Sequence, residues 1–152
     1  MASIHRGLTI TGMEHVGIVV DDLAAATEFF VALGLEVSGE GAAEGDWVDR
    51  IVGLENVRAE IVFVQTPDGK AQFELTKFHA PSFEGGKRVE PANAPGIRHI
   101  SFAVDDIDAV VAEQRARGTE LVGEVVTYED SYRLCYLRGP EGVIVELAQQ
   151  IG

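Results

Sequence analysis

The stretch His15-Val-Gly-Ile-Val-Val-Asp21-Asp22-Leu23 returns 84 residues later as His99-Ile-Ser-Phe-Ala-Val-Asp105-Asp106-Ile107, with histidine, alternating run, paired aspartates and aliphatic residue in the same order. The period is far longer than that of a solenoid, so it marks one internal duplication rather than an array. Gly34 and Gly118 keep the same offset. Farther along, Thr66-Pro67-Asp68-Gly69 precedes Phe73-Glu74-Leu75, and Gly139-Pro140-Glu141-Gly142 precedes Val145-Glu146-Leu147, so the offset falls to 73 and then 72. The second copy is expected to have lost loop length.

Working outward, each copy reads as strand, helix, then a set of strands. His15 to Val20 and His99 to Val104 are short and rich in β-branched or aromatic residues, and each ends at aspartates whose carboxylates suit the free amides of a helix's first turn. Helices are expected from there. Leu23, Ala26, Phe30 and Leu33 share one face of the first, and Ile107, Val110, Val111 and Gln114 share one face of the second, less cleanly. Gly34 and Gly118 then suit the left-handed position after a helix. Strands are expected around Leu35 to Val37 and Leu121 to Val126, and again over Ala59 to Val64 and Arg133 to Leu137. Each of the latter pair runs into a turn where proline presets φ and glycine accepts positive φ. Glu74 and Glu146 fall on the return strands.

These elements make an α+β fold of two tandem βαβββ modules, 12–78 and 97–150, joined by a Pro- and Gly-rich linker over 79–96, in one domain spanning 1–152. A chain of 152 residues, 46% hydrophobic and 24% charged, has the composition of an ordinary globular domain. No apolar run reaches the ~20 residues that cross a bilayer, and the N-terminus lacks the basic and apolar regions of a secretion signal. A soluble, cytoplasmic protein is expected. The net charge of −13 would repel nucleic acid and anionic membrane, both of which are bound by basic side chains. The single Cys135 has no disulfide partner in the chain and reads as a small buried hydrophobe on a strand.

The chemistry lies on the duplicated strands, where alternate residues share a face. His15 shares its face with Gly17 and Val19, and His99 shares its own with Ser101 and Ala103, so the histidine face carries little bulk. Glu74 lies with Gln72 and Thr76, and Glu146 with Ile144 and Ala148, whereas Phe73, Leu75, Val145 and Leu147 point the other way. A carboxylate set mid-strand among apolar residues is costly unless paired or metal-bound. Two neutral imidazoles and two carboxylates around one dication remove that cost, and the mixed N/O set is compatible with Zn, Ni, Co, Mn or Fe. A lone strand histidine says little; a histidine and a glutamate that recur together in a duplicated unit point to His15, Glu74, His99 and Glu146 as ligands of one ion. His5 and His79 have no repeat partner and read as surface residues of a terminus and the linker. The paired aspartates read as helix caps.

The strand-start histidines, the Val-Asp-Asp-aliphatic turns and the Pro-Asp/Glu-Gly turns before a strand glutamate resemble the vicinal oxygen chelate superfamily, which includes glyoxalase I, methylmalonyl-CoA epimerase, extradiol dioxygenases, fosfomycin-resistance enzymes and bleomycin-binding proteins. The resemblance runs from Gly12 to Gln149. It implies paired βαβββ modules forming an eight-stranded cup, and a homodimer. Carried over residue by residue, the ligand pattern of glyoxalase I falls on His15, Glu74, His99 and Glu146; epimerases have glutamine where Glu74 stands, and extradiol dioxygenases use only the positions of His15, His99 and Glu146. The resemblance therefore implies a metal-dependent lyase or isomerase that transfers a proton next to a metal-bound carbonyl or enediolate oxygen of a small-molecule substrate. Glu146 or Glu74 would be the base, with Glu146 favoured. A non-haem iron dioxygenase and an antibiotic-binding resistance protein are the alternative readings. Arg50, Trp47, Phe63, Phe83, Tyr128 and Tyr132 are the candidates to line the cup.

Overall fold

A computed structural model describes Gly7 and residues 9–152. His5 lies outside the described residues. The first module runs β1 (Val16–Val19), α1 (Leu23–Ala32), β2 (Glu36–Glu44), α2 (Asp46–Val52), β3 (Arg58–Gln65) and β4 (Gln72–Ala80). The second runs β5 (His99–Ala103), α3 (Ile107–Ala116), β6 (Val126–Tyr128), β7 (Tyr132–Arg138), a single 3-10 turn (Pro140–Gly142) and β8 (Ile144–Gln150). The eight strands divide into two four-stranded mixed sheets, ordered β1-β4-β3-β2 and β5-β8-β7-β6. Each sheet joins its first strand to its last in parallel and the rest antiparallel. The tandem-module α+β fold expected from the repeat is the fold observed.

The caps explain where the helices start. Asp22 Oδ1 accepts from the amide of Ala25 at 3.0 Å, and Asp106 Oδ1 accepts from Ala109 at 3.1 Å, which satisfies one free donor of each first turn. Gly34 (φ 106°) and Gly118 (φ 90°) then carry the positive φ that turns the chain out of each helix. Beneath the helices, Ala26 and Phe30 of α1 and Ile107 and Val111 of α3 meet Phe73, Leu75, Val145 and Leu147 in one core shared by both modules. Cys135 is buried in this core, and loss of hydration pushes its thiol pKa up, which suits a packing residue.

Three expectations need correction. Leu121 to Val126 is not a continuous strand: Leu121 makes an isolated bridge to Leu137, and β6 begins only at Val126. The extra length of the first module is not loop, because β2 extends to Glu44 and is followed by helix α2, whose Val48 packs on Ala43, Val57 and Ala59. His79 is a residue of β4 rather than of the linker, and its Nε2 lies 3.0 Å from Oε1 of Glu60.

Two contacts set the modules against each other. Phe73, paired in register with Val16 at the start of β1, meets the ring of Phe102 near the end of β5, with centroids 5.7 Å apart. Past the other end of β1, the amide of Asp21 donates to Glu141 at 2.7 Å, and Glu141 belongs to the turn that leads into β8 beside the start of β5. The two sheets are thus tied by side chains at both ends of β1, with no backbone ladder between them.

Candidate metal centre

Register puts the chemistry-bearing residues at equivalent places in the two sheets. Gly17 pairs with Glu74 across β1 and β4, and Ser101 pairs with Glu146 across β5 and β8. Each histidine stands two residues earlier on the same face, the one away from the helices. Phe63 opposes Glu74, and Tyr136 opposes Glu146. Both histidines therefore meet an aromatic ring: His15 takes Phe63 edge-on at 5.6 Å and 84°, while His99 lies at 5.3 Å and 32° from Tyr136. Valines and phenylalanines fill the opposite faces, so the bulk-free face expected from the alternation is open to solvent.

The structure brings His15 and Glu74 together: Nε2 of the ring lies 3.4 Å from Oε2. Two ligand atoms on bonds of ~2.1 Å at a tetrahedral angle stand about 3.4 Å apart, so this pair fits two corners of one coordination sphere. The other oxygen of Glu74 accepts from the Thr76 hydroxyl at 3.0 Å. His99 and Glu146 share a face without an ion-pair contact, and among the described residues no three His, Cys, Asp or Glu side chains are gathered closely enough to hold an ion. The structure thus brings two of the four expected ligands together, and the four side chains do not stand as a ready cluster.

Of the residues expected to line the cup, Phe63 lies at the site. Tyr132 borders a groove of about 450 Å³ with Ala103, Asp105, Ala148 and Gln150. Trp47 and Arg50 belong to the exposed side of α2, where Arg50 pairs with Asp46 at 3.6 Å, Tyr128 is exposed on β6, and Phe83 projects from the linker; the rings that meet the histidines are those of Phe63 and Tyr136. Two neighbours of the site, Tyr136 and Glu14, escaped the sequence reading, and a third, Gln72, was placed on the face of Glu74 without a role. Tyr136 was marked only by standing where the first module has Phe63. Glu14 places Oε2 against Nδ1 of His15, and Gln72 holds Glu14 by a 2.9 Å bond from Nε2 to Oε1.

Tandem βαβββ modules carrying a histidine and a glutamate on each open sheet define a vicinal oxygen chelate architecture. The chain belongs to the Glyoxalase/Bleomycin resistance protein/Dioxygenase superfamily, whose family model matches residues 14–136. A glyoxalase family protein from Bacillus cereus is 43% identical, with a TM-score of 0.90, over 95% of this chain and 97% of that one. Among curated relatives, the uncharacterized protein YwbC of Bacillus subtilis is 26% identical over 91% of this chain and 97% of its own length. The fosfomycin resistance protein FosX of Listeria monocytogenes shares the fold at 17% identity and a TM-score of 0.60, over 95% of each chain. Among the described residues no helix is long and apolar enough to cross a membrane.

Proposed function

We propose that this chain is a divalent-metal-dependent lyase or isomerase of the glyoxalase type, with the ion held by His15, Glu74, His99 and Glu146 and a proton moved beside a carbonyl of a small-molecule substrate. The observation that carries this reading is the imidazole nitrogen and carboxylate oxygen set 3.4 Å apart at His15 and Glu74, on a face whose second half repeats both residue types in the same register. Metal use by a protein of this fold lends support, since FosX is described in complex with Mn(II).

When bound, a divalent ion supplies Lewis acidity, which lowers the pKa of a carbon acid next to a carbonyl. The protein supplies the rest. His15 and His99 are neutral donors, so the two carboxylates balance the charge. Glu74 has one oxygen toward His15 and the other on Thr76, which makes it the carboxylate of fixed position. Glu146 has Ala148 where Glu74 has Thr76, and it keeps the freedom that a proton-moving group needs. We assign Glu146 as the base. The groove beside Tyr132 and Gln150 offers room for the organic part of the substrate. Met13 and Ile97, equivalent residues at the two strand entries, are each 83% exposed, and an apolar surface repeated in this way favours a homodimer as the working unit.

The test is to titrate metal-free protein with Ni, Zn, Co and Mn and to assay each loaded form on methylglyoxal with glutathione. Binding of one ion per chain, lost in His99→Ala, supports the centre. Failure of all four ions to bind refutes it. Tight binding without turnover keeps the centre and removes this substrate pair, leaving iron-dependent oxygenation or stoichiometric capture of a natural product as the assays to run next.

A further inference from the structure

We propose that Glu14 is a positioning residue: it fixes His15 as the Nδ1–H tautomer and so aims the bare Nε2 at the ligand position beside Glu74. The consequence for metal affinity rests on the reading above, whereas the tautomer does not. A carboxylate accepts hydrogen bonds and donates none, so the ring nitrogen facing Glu14 carries the proton. A neutral imidazole has only one. Nε2 also faces a carboxylate, but Oε2 of Glu74 stands 3.4 Å away with no hydrogen bond between them, whereas Nδ1 is hydrogen-bonded to Glu14. The single proton of the neutral ring therefore goes to Nδ1, and Nε2 keeps its lone pair. This is the layout of a carboxylate–histidine–metal relay, in which the outer carboxylate sets the tautomer and raises the basicity of the ligand.

A carboxylate adjacent in sequence and exposed to solvent would ordinarily sample many rotamers, and the surroundings of Glu14 argue against that here. Gln72, the first residue of β4, reaches across to Glu14, two residues before β1, with Nε2 at 2.9 Å from its Oε1 and 3.3 Å from its backbone oxygen. Phe63 stands edge-on to the imidazole and restricts its rotation. In the second module the equivalent of Glu14 is Arg98, whose guanidinium turns away to the carbonyls of Ala94 at 3.0 Å and Pro95 at 2.8 Å. His99 therefore has no outer carboxylate from that position, and the inference concerns His15 alone.

The experiment uses metal-free full-length protein at alkaline pH, where imidazoles are neutral, and reads the His15 tautomer from long-range ¹H–¹⁵N correlations in the wild type, Glu14→Ala and Glu14→Gln. A Zn titration against a chromophoric chelator then gives affinity. The wild type should show a protonated Nδ1, Glu14→Ala should lose that preference, and Glu14→Gln, whose amide oxygen still accepts, should recover it. Affinity should fall about 10- to 100-fold in Glu14→Ala and less in Glu14→Gln. A wild-type His15 protonated at Nε2 overturns the proposal, as does a Glu14→Ala protein with unchanged tautomer. An altered tautomer with unchanged affinity overturns the positioning role. If wild-type protein binds no Zn, the metal reading fails while the tautomer is still decided by the spectra.

Discussion

His15 and His99 occupy the same place in two copies of one module, and their surroundings differ at almost every contact. The first has Glu14 on Nδ1, Glu74 toward Nε2 and Phe63 edge-on. At the equivalent positions the second has Arg98 turned to the linker, Glu146 out of ion-pair reach and Tyr136 tilted against the ring. Gln72 and Thr76, which hold Glu14 and Glu74, are replaced by Ile144 and Ala148. Duplication has kept the donor atoms and let their supports diverge. On the proposed reading, the first half holds a position and the second is free to move.

If both halves serve one ion, removing either histidine should abolish stoichiometric binding. Metal content after loading and dialysis is the measurement, on His15→Ala and His99→Ala in parallel. Retention by His99→Ala alone would mean that the first half suffices, and the two copies would then have different tasks. The glutamates should separate next. Glu146→Gln is expected to lower kcat by roughly 10²–10⁴-fold, whereas Glu74→Gln should weaken both ion affinity and turnover. Equal kcat losses in the two variants would erase the assignment of Glu146 as the mobile base.

The same contrast reaches the core. Phe30 and Gln114 are equivalent residues of α1 and α3, and both are buried, at 0% and 1% exposure. Phe30 packs on Phe73 and Phe102, so Phe30→Ala should cost about 3–5 kcal/mol. Gln114 accepts from the Thr119 hydroxyl at 3.0 Å, but its Nε2 has no partner among the described residues. Burying a donor without a partner costs about 1–3 kcal/mol, and Thr119, being part-exposed, can turn to water. Gln114→Leu is therefore expected to stabilise by about 1 kcal/mol, read as a raised midpoint in urea. A destabilised Gln114→Leu would show that the amide is satisfied in solution.

How far these differences could be read from the chain depends on which physics carries them. The caps at Asp22 and Asp106 and the alternation after each histidine are local, and they recur, so the modules were legible. Helix α2 was not, because the second module has no counterpart against which to see it; the fall in offset marks where it lies without saying what it is. Strand β2 runs through Ser-Gly-Glu-Gly-Ala-Ala, poor strand formers, and is held by its register with β3. Glu14 reads in sequence as one more surface charge. Only Gln72, 58 residues away, gives it direction, and that contact exists only once β1 and β4 are paired.

The smallest expected effect lies in the charges that fasten each helix to its sheet. In the second module, Arg133 of β7 grips Asp108 in the first turn of α3 through two bonds, of 2.6 and 2.9 Å. At the same positions the first module has Ala24 and Glu60, and it relies instead on Lys77, 3.1 Å from Asp21. The Arg133 hydrogen bond holds the Asp108 carboxyl below its ordinary 3.8, and the Lys77 hydrogen bond, helped by the charges of Lys77 and Lys87, does the same for Asp21. A depressed carboxylate contributes stability that is complete above its unfolded value and lost as pH falls through its folded value. Asp108→Asn should therefore melt below the wild type at neutral pH, and the gap should narrow once the pH drops past 3.8 and close when Asp108 itself is protonated. Both carboxylates are largely exposed, so the gap is small. Asp21→Asn should close over the same acid range and, with a 3.1 Å contact to Lys77 and a longer 3.8 Å one to Lys87 in place of two short bonds from one guanidinium, start from a smaller gap; an Asp108→Asn gap that persisted into acid would mean that the side chain acts by its shape at the helix start rather than by its charge.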